Sequence, residues 1–533
     1  MVAGRKPSYG TLCNVSLNSI NKQLSKFWDV DEYPTNKRDV IVKKEDIECK
    51  THFKNTCSRN AEGRFTVEIP FKLNGPNIGV SKEMAIKRFL SLENKFRKDP
   101  ALKRDYTEFI EEYIRLKHME LVPPTQVNVN ERVFLSHHAV TKETSTTTKL
   151  RVVFDASAKT TTGVSLNDAV MVGPKLENDL FDIIIRFRTH QYVFTADINK
   201  MYRQIIVADQ HRKYQTILWR EKHNTITRTC TSSYPIRFDI PIREYQLATV
   251  TYGLNCAPFL AIGCLQQLAE EETDKYPAAY PALLNDFFMD DALTGANSIE
   301  ETNQIREQLT RLLASGGFEL RKFAANHDQL LPDLNNADSH LINFDKNGNT
   351  KILGLWWNCR DDNLRYEVKT ENPQSMFTKR KVLSAIAKIY DPLQLIGPVI
   401  VKAKLIMQEL WKREIGWDEE LPEDLKTSWT IILNQLHLLN QIRIPRKSLE
   451  IHGFSDASQV AYGCCVYVRV IDANEKISVK LLCAKSRVAP LKTIFMPPAV
   501  IDAAAVLLAR LISNILDIIK IKLIRFTTGQ ILG

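Results

Sequence analysis

The run Phe287-Phe288-Met289-Asp290-Asp291-Ala292-Leu293-Thr294-Gly295 constrains this chain more than any other stretch, because an apolar strand pattern is broken by two adjacent carboxylates and closed by a turn glycine. Two acids at the tip of a hydrophobic hairpin are costly to hold unless a cation sits on them. A divalent metal suits that place. Two ions about 3.5 to 4 Å apart can clamp the attacking and leaving oxygens of a nucleotidyl transfer when a third carboxylate arrives from another strand. Asp197, closing the apolar stretch Tyr192-Val193-Phe194-Thr195-Ala196, is that third acid. A bare aspartate pair is more often a solvated turn, and the second strand aspartate is what moves the reading towards catalysis.

Composition sets wider bounds. A chain of 533 residues with 44% hydrophobic and 25% charged residues has room for several globular domains. Lys+Arg of 72 against Asp+Glu of 62 leaves +10, which suits a polyanionic partner without requiring one. The ten cysteines form no CxxC pair, so neither a zinc site nor a disulfide framework is indicated and a reducing compartment is expected. The first ten residues hold no apolar signal core, and the greasiest later run, 503–521, carries Arg510, Asp517 and Lys520. Neither secretion nor a membrane span is expected.

From Ser81 to Met119 apolar residues recur at helical spacing, from Met84, Ile86, Phe89, Leu90, Leu92 and Phe96 to Tyr106, Phe109, Ile110, Tyr113, Ile114 and Leu116, with Asp99-Pro100 between two helices. The β-rich run Leu150 to Asp155 brings in Arg151, whose planar fork suits a triphosphate, although a surface pair of Arg151 with Asp155 would explain the run by itself. Beyond Trp357 the pattern is helical again, and Lys379, Arg380, Lys381, Lys402 and Lys404 are available to grip phosphates. From Leu449 it turns to β.

Six motifs now stand in order: Arg151-Val152-Val153-Phe154-Asp155; Phe194 to Gln204 around Asp197; Thr251-Tyr252-Gly253-Leu254-Asn255-Cys256-Ala257-Pro258-Phe259; Phe288-Met289-Asp290-Asp291; Gly316 to Lys322; and Leu353 to Asn358. Together they resemble the reverse-transcriptase motifs of the BEL/Pao class of LTR retrotransposons, and Asp391-Pro392-Leu393 and His452-Gly453-Phe454-Ser455-Asp456-Ala457-Ser458 extend the likeness over nearly the whole chain. The resemblance implies an α+β right-hand polymerase of fingers, palm and thumb, followed by a truncated RNase H-like α/β domain. It divides the chain into an N-terminal pol linker (1–80), fingers and palm (81–360), a helical thumb or connection (361–447) and the RNase H-like part (448–533).

The implied activity is RNA-directed DNA polymerisation, with an RNA template, a DNA primer and product, and deoxynucleoside triphosphates as partners. The cofactor would be two magnesium ions, with manganese as a substitute. Asp197 and Asp290 would ligate both ions, with Asp291 beside them and the main-chain carbonyl of Ile198 as a further ligand. Arg151 would hold the triphosphate, Tyr202 would exclude a ribose 2′-OH, Tyr252 and Gly253 would pack on the nascent base pair, and Lys322 would protonate the pyrophosphate. The expected location is a retroelement particle in the cytoplasm, or the nucleus; oligomeric state is not legible.

Departures are small in the polymerase part: Phe288 stands where the family mostly has Tyr, and Cys256-Ala257 where Ser/Ala is usual. Residues 224–239 add a Thr/Ser-rich piece, read either as a surface loop, whose closure entropy grows only logarithmically with length, or as translated intron. No Asp-Thr-Gly or Asp-Ser-Gly occurs, so no proteolysis is assigned. In the RNase H-like part only Asp456 is an acid in its family place; Ile501 stands for a glutamate and Thr528 for an aspartate, and the fourth acid would lie beyond Gly533. RNase H activity is therefore expected to be absent, with the apolar surface of Leu507, Leu508, Leu511 and Ile515 short of cover. The rival reading is a degenerate or domesticated nucleic-acid-binding protein.

Overall fold

Helical periodicity over Ser81 to Met119 becomes two helices in the computed structural model of this chain, which describes residues 43–73, 77–123, 131–141, 150–220, 241–331, 349–368, 376–441, 443–445, 450–458, 460–471, 477–489, 498–519 and 526–530. Helix α1 (Lys82–Lys98) buries Ala85, Phe89, Leu92 and Phe96, and α2 (Pro100–Arg115) buries Tyr106, Ile110 and Tyr113, each set on one face. Leu90 and Leu116, expected among the apolar positions, are instead exposed. The break between the helices has a physical cause. Asp99 Oδ1 accepts from Leu102 N at 2.9 Å, and Pro100 takes the first helical position, where no N–H is needed.

The helices pack over strands β1 (Ser136–Thr141) and β2 (Leu150–Asp155), an antiparallel pair. Their shared core is an aromatic node in which buried His137 meets Phe89, Tyr106 and Trp219 at ring-centroid distances of 5.9, 5.8 and 6.3 Å. The short helix α3 (Leu166–Ala169) follows, closed by a capping box of Ser165 and Asp168.

The functional part of the fold is a four-stranded antiparallel sheet, order β6-β7-β3-β8, made of β6 (Phe287–Phe288), β7 (Asp291–Ala296), β3 (Tyr192–Ile198) and β8 (Leu320–Ala325). Its two central strands are buried for most of their length, as continuous apolar runs require, and each opens to partial exposure at its aspartate. Helix α4 (Ala257–Glu271) and helix α5 (Ile299–Ser315) supply the apolar cover, α5 lying against β7 and β3. Strands β4 (Thr216–Trp219) and β5 (Arg243–Leu247) pair from Trp219 opposite Arg243, so the 224–239 piece belongs to the connection between two paired strands and itself lies outside the described residues.

The chain divides into two compact units, Val42–Ile183 with His190–Thr350, and Ile184–Thr189 with Lys351–Gly533. The second unit holds helices α6 (Lys379–Ala387), α7 (Gly397–Lys412) and α8 (Glu423–Gln435) where the sequence predicts them. It also holds a sheet of order β11-β10-β9-β12, from β9 (Glu450–Ala457), β10 (Ala461–Ile471), β11 (Ile477–Val488) and β12 (Phe526–Gln530). The first three form an antiparallel meander, and β12 returns parallel to β9 after helix α9 (Pro498–Ile519).

Two expectations are corrected in this unit. Leu508, Leu511 and Ile515 are 4%, 1% and 0% exposed, because α9 lays that face on β9 and β10. Gly453 makes the close approach possible: a Cβ there would stand 2.6 Å from Ile512 Cδ1 and 2.8 Å from Leu508 Cδ1. The second correction concerns the cations. Lys379 is buried, its ammonium lying 4.5 Å from the Trp411 ring centre and donating to Ile415 O, while Arg380 forks onto both oxygens of Asp418 at 2.8 and 2.9 Å. Both are committed to the protein by desolvation and pairing, and neither is a ready phosphate grip.

Candidate active site

The β6–β7 hairpin turns on Met289 and Asp290, since Phe288 pairs with Asp291. Met289 takes a left-handed φ of +56°, a conformation that costs a side-chain-bearing residue on the order of 1 to 3 kcal/mol. The hairpin is held in place all the same. Ile198 N donates to Asp290 O at 2.8 Å, Leu293 N to Asp286 O at 2.9 Å, and Thr294 Oγ1 to Asp286 Oδ2 at 2.7 Å. Asp286 is a buried carboxylate that the sequence reading missed; only its place one residue before the apolar run hints at it.

Register does the rest. Asp291 stands directly opposite Asp197 across β7 and β3, so the two side chains leave the same face of the sheet as neighbours, and Asp290 adjoins them in the loop. Burial raises the Asp290 carboxyl above its ordinary range, with the Asp197 charge adding to it. Burial likewise pushes Asp291 up to about 7, with Asp290 and Asp197 adding to the effect. Asp290 and Asp291 are thus held where negative charge is unwelcome.

Lys322 supplies one counter-charge, its Nζ 2.8 Å from Asp197 Oδ2. It reaches there through backbone irregularity: the register of β8 on β3 slips by one residue between Arg321 and Ala324, and Lys322 itself has φ +55°. Among the described residues no three His, Cys, Asp or Glu side chains gather closely enough to hold a metal ion. In donor type the three acids fit a hard divalent cation, being oxygen ligands, and such a charge would relieve the raised carboxyls of Asp290 and Asp291. Ile198 is fully buried at the end of β3, beside them.

On one side of this acid end lies an aromatic wall. Tyr202 is 8% exposed, and its ring centre is 4.8 Å from that of Tyr252, which is 40% exposed. Burial raises the phenols of both, with the Asp290 charge contributing to each, so both rings lie within electrostatic reach of that acid. Gly253 has φ +108°, and a Cβ there would stand 1.9 Å from Phe154 O, so this position admits only glycine. Arg203, missed in the sequence, is wedged over the Tyr113 ring at 4.7 Å with Glu112 3.4 Å away, and it fixes the turn that carries Tyr202.

Arg151 is exposed on β2, and its charge offsets a small part of the burial-driven rise of the Asp290 carboxyl. Its expected alternative partner is excluded. Four residues along a strand separate Arg151 from Asp155 by about 13 Å, and Asp155 is taken instead by Arg88 of α1 at 2.6 Å. Asp456, by contrast, is exposed on β9, where its Oδ1 accepts from Ala457 N at 2.9 Å. The β12 backbone brings Thr528 opposite Gly453, and Ile501 lies on α9; the side chains of Ile501 and Thr528 lie outside the described residues.

Residues 139–323 match the family model described as reverse transcriptase (RNA-dependent DNA polymerase), and residues 378–528 match that of the Pao retrotransposon-like RNaseH-like domain. The chain belongs to the Pao-type retrotransposon pol proteins. No curated protein matches it significantly. The first match begins in β1 and ends one residue after Lys322, so it takes in Arg151, the aromatic wall and all three acids. This pol protein is a reverse transcriptase with an RNase H-like domain after it, and the non-catalytic alternative is not favoured. No helix among its described residues is long and apolar enough to cross a membrane.

Proposed function

We propose that the acid end of the β6-β7-β3-β8 sheet is the nucleotidyl-transfer centre of a right-hand polymerase, with fingers and palm over 81–360, a thumb or connection over 361–447 and the RNase H-like part from 448 on. The observation that carries this is the direct pairing of Asp291 with Asp197, with Asp290 next in the loop. Two bound magnesium ions, or manganese, would neutralise the triphosphate and hold the attacking and leaving oxygens. Asp197 and Asp290 would ligate both, with Asp291 and the Ile198 carbonyl beside them.

The chain's own groups do the remainder. Arg151 reads the triphosphate oxygens with its fork. Tyr202 sets its ring against the sugar 2′ position, and Tyr252 with Gly253 forms the flat surface for the nascent pair. Lys322, already at the acids, is placed to give its proton to the departing pyrophosphate. The substrates are deoxynucleotides added to a DNA primer 3′-OH on an RNA template, inside a retroelement particle. We further infer that the RNase H-like sheet does not hydrolyse RNA, because Ile501 and Thr528 offer no carboxylate partner to Asp456.

The deciding experiment is primer extension by the purified chain on an RNA template with magnesium, beside Asp290→Asn. Extension that depends on Asp290 supports the reading; extension equal in both proteins, or magnesium-dependent RNA cleavage lost on Asp456→Asn, overturns the corresponding part.

A further inference from the structure

Asn167 is 6% exposed and uses its side chain to tie the backbone around the aromatic wall to Ser157. Its Nδ2 donates to Gly253 O at 2.9 Å and to Ser157 Oγ at 2.9 Å, and its Oδ1 accepts from Asn255 N at 2.9 Å. Its own N–H donates to Ala156 O at 3.1 Å. Both amide protons and the carbonyl are used, which only asparagine among side chains this short can do.

Three segments converge on it: the exit of β2, helix α3, and the loop 252–255. Gly253 already lies against Phe154 O, so this loop has no slack towards β2. The two hydrogen bonds to Gly253 O and Asn255 N, on either side of Leu254, tie the loop that carries Tyr252 to α3. The capping box of Ser165 and Asp168 fixes α3 in turn.

We propose that Asn167 is a positioning residue that holds Tyr252 against Tyr202 and so sets how strictly the polymerase excludes a ribose 2′-OH. This rests on the sugar-wall reading of Tyr202. A buried polar clamp of this kind is sensitive to donor chemistry: Asn167→Asp keeps the size and the acceptor for Asn255 N, but sets an anion against Gly253 O with no proton to offer.

The test is steady-state primer extension on an RNA template by wild type, Asn167→Asp, Asn167→Ala and Tyr202→Ala, with deoxy- and ribonucleotides, alongside thermal melting and affinity for the primer–template without nucleotide. For Asn167→Asp we expect KM for deoxynucleotide to rise about tenfold with kcat changed less than about threefold, and ribo/deoxy discrimination to fall about tenfold. Asn167→Ala should fall between it and wild type, and primer–template affinity should not move. Unchanged KM and discrimination in an active Asn167→Asp protein overturns the clamp. So does a loss confined to kcat with a lowered melting temperature, the mark of a purely structural role. If Tyr202→Ala relaxes discrimination and Asn167→Asp does not, the wall stands and the clamp falls; if Tyr202→Ala changes nothing, the wall reading falls and takes the clamp with it.

Discussion

Asp291 and Asp456 both lie on a strand with an antiparallel neighbour, yet Asp291 faces Asp197 across the register while Asp456 faces Gly463. Burial and two neighbouring acids push Asp291 up to about 7. Asp456 is exposed and satisfied by the next N–H in its own chain. A motif aspartate becomes a site when the adjoining strand delivers a second acid and the fold withdraws both from water; among the described residues one of these sheets does so around its aspartate and the other does not.

The sharpest break of that contrast comes from neutralising each acid in turn. Asp197→Asn and Asp290→Asn are expected to cut single-turnover extension at least about a hundredfold, and Asp291→Asn by less, since transition-state electrostatics of one group is worth that much. Asp456→Asn should leave extension as it was. Asp197→Asn extending at the wild-type rate would remove the first sheet's claim.

The polymerase sheet's surroundings also respond to acid. Burial lowers the His137 pKa to about 4 and keeps the ring neutral, so that Nε2 donates to Leu218 O at 2.9 Å and Nδ1 is left to accept from Tyr106 OH at 2.5 Å. The ordinary value of about 6.5 holds in the unfolded chain, which therefore takes up the proton first as pH falls. Its contribution is intact above pH 6.5 and is lost down to about pH 4, on the order of 3 kcal/mol. Urea midpoints followed by tryptophan fluorescence at pH 7, 5.5 and 4.5 measure it, and a His137→Gln protein that keeps the wild-type slope would discard the assignment.

In the other sheet the weak point is steric. Gly453→Val should cost about 1 to 3 kcal/mol, because the added methyls press on Leu508 and Ile512, which cannot retreat from a packed face. Differential scanning calorimetry of the full chain reads this as a lowered melting temperature. An unchanged transition would mean that α9 sits more loosely on β9 than the side chains indicate. The smallest effect is at the wall: Tyr202→Ala should weaken ribonucleotide rejection by about tenfold, as a lost steric barrier does. A ratio of ribo- to deoxynucleotide incorporation identical to wild type would return Tyr202 to ordinary core.

What the sequence by itself determined is what depends on near neighbours. Helical period and the Asp99-Pro100 break define α1 and α2, the apolar runs ending in acids define β3 and the β6–β7 hairpin, and the order of motifs names Asp197, Asp290 and Asp291 together. These follow from rules reaching a few residues along the chain. Tertiary structure alone decided which charges are free and which are spent. Lys379 reads as a solvated cation until Trp411 and Trp417 close over it, Asp155 reads as the partner of Arg151 until Arg88 arrives from α1, and α9 reads as uncovered until Gly453 admits it to the sheet. Asn167 has no local signature at all, since its partners lie at Ser157, Gly253 and Asn255. Burial and pairing are set by atoms far apart in the chain, and a side chain's free energy depends on which of them it meets.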